Sequence, residues 1–165
     1  MIALARMRAQ ARCYLRRCSP QKYSDLIFDD APGVTLAAIT TRGRKVADSV
    51  KVAATFHARR RGLLDCKLLP PNAGLLLSPG GSIHTCGLHY AIDVLFLDNR
   101  MHILKCVSCL RPWRVVFAPG RTRYVLELAA GRAAAAGIEI GTQLLWLKYR
   151  NADAAGMTAA HAGES

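Results

Sequence analysis

The side chains best suited to chemistry lie close together, between residues 83 and 98. His84, Thr85, Cys86 and His89 surround Gly87 in a polar turn, and the turn runs into the apolar stretch Ile92-Asp93-Val94-Leu95-Phe96-Leu97. If that stretch is a strand, Asp93 shares a face with Leu95 and Leu97, because successive side chains of a strand alternate between its faces. An ionised carboxylate on an apolar face requires a cation or several N–H donors. Arg61 is one candidate partner, and the amides and hydroxyl of His84-Thr85 are another. Two readings of Asp93 follow. In one it is a pocket carboxylate that pairs with Glu127 for acid–base work. In the other it is a buried acid that pins the turn to the strand.

The same turn supplies His84-x-Cys86-x-x-His89, and Cys106 and Cys109 follow. Such ligands raise the possibility of zinc. Strand geometry opposes it: Cys106 and Cys109 sit in Leu104-Lys105-Cys106-Val107-Ser108-Cys109-Leu110, and residues three apart on a strand point to opposite faces. No metal or other cofactor is therefore expected. A nucleophilic Cys86 with His84, His89 or His102 as base is a second chemistry open to these residues. Glu127 alternates with Leu126 and Leu128, so it faces solvent or a pocket, and solvent is the commoner outcome. Gly80-Gly81-Ser82 is too short a signal for a phosphate cradle. Trp113, in Arg111-Pro112-Trp113-Arg114, could stack on a ligand or nucleobase, but reads better as a half-buried anchor under its loop.

The elements that must position these residues are short. Val46 to Thr55 contains a strand, with Val50 and Val52 on one face. Phe56 to Cys66 reads as a short helix, apolar at Phe56, Leu63 and Leu64. Gly74 to Leu77 is an apolar strand closed by Pro79-Gly80-Gly81. Ile92 to Leu97 is a buried strand, and after the turn Asp98-Asn99-Arg100 the segment Met101 to Val107 should return as the second arm of a hairpin. Val115 to Ala118 and Tyr124 to Leu128 are further strands. Arg132 to Ala136 makes one or two helical turns capped by Gly137, and Gln143 to Tyr149 is the last strand. Connections this short disfavour repeated parallel crossovers. The expected fold is α+β and mostly β: a small, partly closed barrel or curled antiparallel-rich sheet with short helices.

The ordered segments Arg61-Gly62-Leu63-Leu64, Gly74-Leu75-Leu76-Leu77, Ile83-His84-Thr85-Cys86-Gly87-Leu88, Ile92 to Asp98, Val125 to Gly131, Gly137-Ile138 and Gly141 resemble the domain of unknown function 192 family. The resemblance spans about Lys45 to Lys148. At the turn before the Asp strand the chain is similar to the subgroup with His-Thr-x-Gly-Met, with Leu88 in place of the methionine. The resemblance implies a compact, mostly β domain, found chiefly in bacteria and archaea, with no settled activity. It keeps His84, Thr85, Gly87 and Asp93 and treats Cys86 as variable.

Outside the domain, residues 1–18 read as a basic amphipathic helix. Leu4, Met7, Ala11, Tyr14, Leu15 and Cys18 form one stripe, and no acid precedes Asp25. Such a helix can lie on an anionic membrane or serve as a transit peptide. It can equally pack on the domain or be an upstream translation artefact. Ser19-Pro20, Asp29-Asp30 and Pro32-Gly33 mark residues 19–43 as a linker, with the domain over residues 44–150 and a disordered tail over residues 151–165.

The chain has 165 residues, 52% of them hydrophobic, and a formal net charge of +12. This composition disfavours wholesale disorder. The charge suits an acidic protein or an anionic surface, reached through Arg59, Arg60, Arg61 and the N-terminal helix. The basic residues are otherwise scattered, and no zinc-finger, ribonucleoprotein or basic-zipper pattern is present. No secretory signal and no run of about 20 apolar residues is apparent, so reduced cysteines and a cytoplasmic location are expected, with peripheral membrane attachment as the alternative. The functional expectation is a small binding or accessory module, leaning away from catalysis, with a polar pocket lined by Arg61, His84, Thr85, Asp93 and Glu127. The alternatives are an enzyme, with hydrolysis as one option, that uses Asp93, His84 and Glu127, and a basic adaptor for nucleic acid or anionic membrane.

Overall fold

The computed structural model describes residues 34–150. The predicted N-terminal helix and C-terminal tail lie outside these residues. The described chain runs β1 (Val34–Thr40), β2 (Lys45–Ala53), α1 (Phe56–Arg61), β3 (Ala73–Leu77), β4 (Ile83–His84), β5 (Ile92–Leu97), β6 (Ile103–Leu110), β7 (Val115–Val116), β8 (Tyr124–Ala129), α2 (Arg132–Ala135) and β9 (Leu144–Arg150). Seven strands form one sheet in the order β6-β5-β8-β3-β2-β1-β9, and β4 and β7 form a separate two-stranded ribbon.

The sheet curls until its two edges meet at one end. The Ile103 amide donates to the Thr142 carbonyl at 2.9 Å and the Leu144 amide donates to the Met101 carbonyl at 3.0 Å. His102 bridges to Gln143 between them. Closure of this kind hides part of the edge that an open sheet would expose. The expected mostly β, partly closed architecture is what forms.

The structure adds detail to the sequence expectation and shifts several boundaries. β1 lies inside the stretch read as a linker: it pairs with β2 on one side and with β9 on the other, so the sheet begins at Val34 rather than near Arg44. One pair is parallel, β2 with β3, and α1 provides the crossover. The returning arm of the hairpin runs from Ile103 to Leu110, later than expected. Its turn is longer because Asp98 Oδ1 accepts the amides of Arg100 and His102, both at 2.8 Å, which places Met101 in the turn at φ 64°.

The sheet has two apolar layers. The concave layer contains Leu76, Leu95, Leu97, Leu126, Leu128 and Trp146, and α2 plugs it with Ala133 and Ala136. The convex layer contains Leu75, Leu77, Val94, Phe96 and Val125, covered by Leu63 after α1 and by Ile83 and Leu88 of the β4 region. Alternation along β8 therefore sends Leu126 and Leu128 inward and Val125 and Glu127 outward, into an apolar layer rather than into water. Among the described residues no helix is long and apolar enough to cross a membrane.

Candidate functional site

α1 is a six-residue helix. Thr55 caps its start, its hydroxyl accepting the Ala58 amide at 3.1 Å. Gly62 ends it at φ 51°, in the left-handed region that suits glycine. Arg59 fastens the helix to the end of β3 by donating to the carbonyls of Ala54 (2.6 Å) and Ser78 (3.0 Å). The loop after β3 presses on β8: a Cβ on Gly80 would lie 2.5 Å from the Tyr124 carbonyl carbon, so only glycine fits.

Between this loop, α1 and β4 lies a cavity of about 330 Å³, walled by Leu63, Leu77 and Leu88, with Arg60, Arg61 and His84 around it and Glu127 among its lining residues. The volume is that of a small-molecule site. Glu127 is only 6% exposed, and its buried Oε2 has no hydrogen-bond partner among the described residues. Burial pushes the Glu127 carboxyl up to about 7, from 4.5. Nearby, the Tyr90 hydroxyl is also buried without a well-formed hydrogen bond. Burial first, then the Cys66 thiol and the charge of Glu127, push its pKa up to about 12.

Of the five residues expected to share a pocket, the structure brings three to it: Arg61, His84 and Glu127. Glu127 is buried rather than exposed, which corrects the commoner outcome assumed for it. Arg61 does not reach Asp93; it pairs on the surface with Asp65 at 3.1 Å.

Asp93 is fully buried on the other face of the sheet. It stands opposite Leu128 on β8, whereas Glu127 stands opposite Val94, so alternation sends the two carboxylates to opposite sides. They cannot work as a pair. The partners of Asp93 are backbone amides: Oδ1 accepts from Cys109 (2.8 Å) and Gly131 (3.1 Å), and Oδ2 accepts from Ala133 (2.7 Å). These donors would otherwise be orphaned. β6 carries an extra residue where Ile92 pairs Leu110 but Val94 pairs Val107, and that bulge holds Cys109 at φ 50°. Gly131 and Ala133 belong to the first turn of α2, where amides lack helical partners. Asp93 is thus a buried acid that holds the fold together. It joins β5 to a bulge and a helix start, rather than to Arg61 or the His84 turn.

Thr85 is also structural. It is buried, donates its hydroxyl to the Arg111 carbonyl at 2.8 Å and accepts the Arg114 amide at 2.9 Å. The cysteines disperse. Burial pushes the Cys106 thiol up, away from the thiolate a metal requires. Among the described residues, no three of His, Cys, Asp or Glu converge as a metal site would need. His102 serves the Asp98 turn, with its Nδ1 3.3 Å from Asp98 Oδ2, at the end of β5 remote from the Cys86 loop. Sequence reasoning missed Tyr90, because His89-Tyr90-Ala91 carries no signal beyond that of a loop.

The model of the domain of unknown function 192 family, described as an uncharacterized ACR, matches residues 37–146. The chain belongs to this family. A UPF0127 protein of Thermococcus sibiricus is 32% identical over 114 residues, which cover 64% of this chain and 71% of that protein. A UPF0127 protein of Pyrococcus horikoshii is 31% identical over 102 residues, 59% of this chain and 86% of its own. Among solved structures, a protein of unknown function from Novosphingobium aromaticivorans aligns with TM-score 0.59 at 22% identity, covering 67% of this chain and 83% of that one. That likeness shows the fold. Membership in the domain of unknown function 192 family brings no activity with it.

Proposed function

We propose that this domain is a binding module, without catalysis, whose pocket takes a small organic acid carrying an apolar body and a hydroxyl or amino group. The observation that carries this reading is Glu127 Oε2, buried beside the cavity with no donor among the described residues. A carboxyl held this way costs stability, and a ligand donor would relieve it. The apolar wall of Leu63, Leu77 and Leu88 suits the ligand body, and Arg60 and Arg61 suit its carboxylate. Thr85 and Asp93 support the walls and do not touch the ligand.

The test is a thermal-shift panel of hydroxy acids and amino acids, with 3-phenyllactate as the reference probe. Stabilisation of the wild type that is lost in Glu127→Leu and weakened in Arg60→Ala/Arg61→Ala supports the reading. Absence of stabilisation by every member, or stabilisation that survives Glu127→Leu, refutes it. A catalytic reading draws on one observation, a carboxyl titrating near neutrality in a cleft. It predicts turnover of a bound acid, which the same panel followed by NMR would reveal.

A further inference from the structure

We propose that the face carrying β7 docks onto an anionic lipid bilayer, with Trp113, Val115 and Phe117 entering the interface. This inference is independent of the pocket reading.

Trp113, Val115 and Phe117 are 67%, 58% and 76% exposed. Val115 and Phe117 alternate with Val116 and Ala118, which pack back into the convex apolar layer, so those two project outward together, and Trp113 stands exposed in the turn just before them. Trp113 was expected to be a half-buried anchor, and the structure holds it outward instead. Its φ of 60° is a conformation that large side chains rarely adopt. Thr85 enforces it. Besides its two hydroxyl contacts, the Thr85 amide donates to the Arg114 carbonyl at 2.8 Å and the Thr85 carbonyl accepts the Trp113 amide at 3.1 Å. The surrounding hydrogen bonds offset the cost of this backbone and keep the ring exposed.

Charge indicates the partner. From Asp98 to Glu127 the chain carries Arg100, Lys105, Arg111, Arg114, Arg121 and Arg123 and no acid between them. His84, which pairs with Val115, also lines the pocket, whose lining includes Phe56, 64% exposed, along with Arg60 and Arg61. Exposed apolar side chains set in a stretch whose only charges are cations, with the Lys105 ammonium on the Phe117 carbonyl at 3.2 Å, match an anionic bilayer, which accepts both. A second copy of this chain fits poorly, because an isologous contact would set these arginines against each other. Single-stranded nucleic acid fits less well than lipid, because Val115, between the two aromatics, offers no flat face for stacking.

The test uses the full chain and vesicles of phosphatidylcholine, alone or with an equal part of phosphatidylglycerol. Co-sedimentation with the mixed vesicles and a blue shift of tryptophan emission are expected. The chain has two tryptophans, and Trp146 is already buried at 3% exposure, so the shift reports Trp113. Trp113→Ala/Phe117→Ala should weaken partitioning at least about tenfold, as expected on removing two large apolar groups from the interface. Trp113→Phe should keep the binding and lose the shift. Three results would overturn the proposal: vesicle binding without a shift, equal binding by the double variant, or binding of oligo-dT with none to vesicles.

Discussion

Asp93 and Glu127 lie one residue out of register on neighbouring strands, and both are buried, yet their surroundings are opposite. Asp93 faces the concave layer and accepts three backbone amides. Glu127 faces the convex layer, beside a cavity, with one oxygen unpartnered. A buried acid with every acceptor filled holds a fold, because its donors and its charge satisfy each other. A buried acid left open lowers stability, and such groups persist at sites that bind or react.

Substitution should separate the two most strongly. Asp93→Ala leaves three amides without acceptors, and at about 1–3 kcal/mol for each unsatisfied buried group the loss should approach the whole stability of a small domain. Equilibrium urea denaturation would show it. A change below about 1 kcal/mol would remove the structural role of Asp93. Glu127→Leu should act in the opposite direction. At pH 8 it removes a buried charge and should stabilise the domain by an amount on the order of 3 kcal/mol, an upper figure from the pKa shift.

The pH dependence follows from the same shift. The folded carboxyl binds its proton up to about pH 7, whereas 4.5 is its ordinary value. Between those values the folded state holds more protons than the unfolded state, so stability falls as pH rises through this window. The slope should flatten in Glu127→Gln. An unchanged slope would mean that other groups set it.

How much of this contrast can be read in the sequence depends on which groups are involved. β5 is legible because Ile92 to Leu97 is continuously apolar, and the face shared by Asp93, Leu95 and Leu97 follows from alternation alone. The partners of Asp93 are not legible, since amides 16, 38 and 40 residues away leave no trace in residue type. Alternation also separates Glu127 from Leu126 and Leu128, but only the tertiary fold lays Leu63, Ile83 and Leu88 over that outer face. β1 is hidden behind Pro32-Gly33, whose breaker signal outweighs a short run of modest apolar residues.

Smaller effects are expected at the Thr85 brace and the turn it holds. Thr85→Val keeps the shape but removes both hydroxyl contacts to the 111–114 turn, and should cost about 1–2 kcal/mol while releasing Trp113. Trp113→Gly should relieve the left-handed backbone and gain about 0.5–1 kcal/mol. Thermal denaturation at one pH would rank them, and a loss in Trp113→Gly would show that the exposed ring is held by packing.

The most direct measurement is a carbon-13 NMR titration of the Glu127 side-chain carboxyl in the folded, full-length chain. A buried carboxyl without a donor predicts a midpoint near 7. A midpoint near its ordinary 4.5 would show a hydrated or paired group, and would contradict the distinction drawn between Glu127 and Asp93.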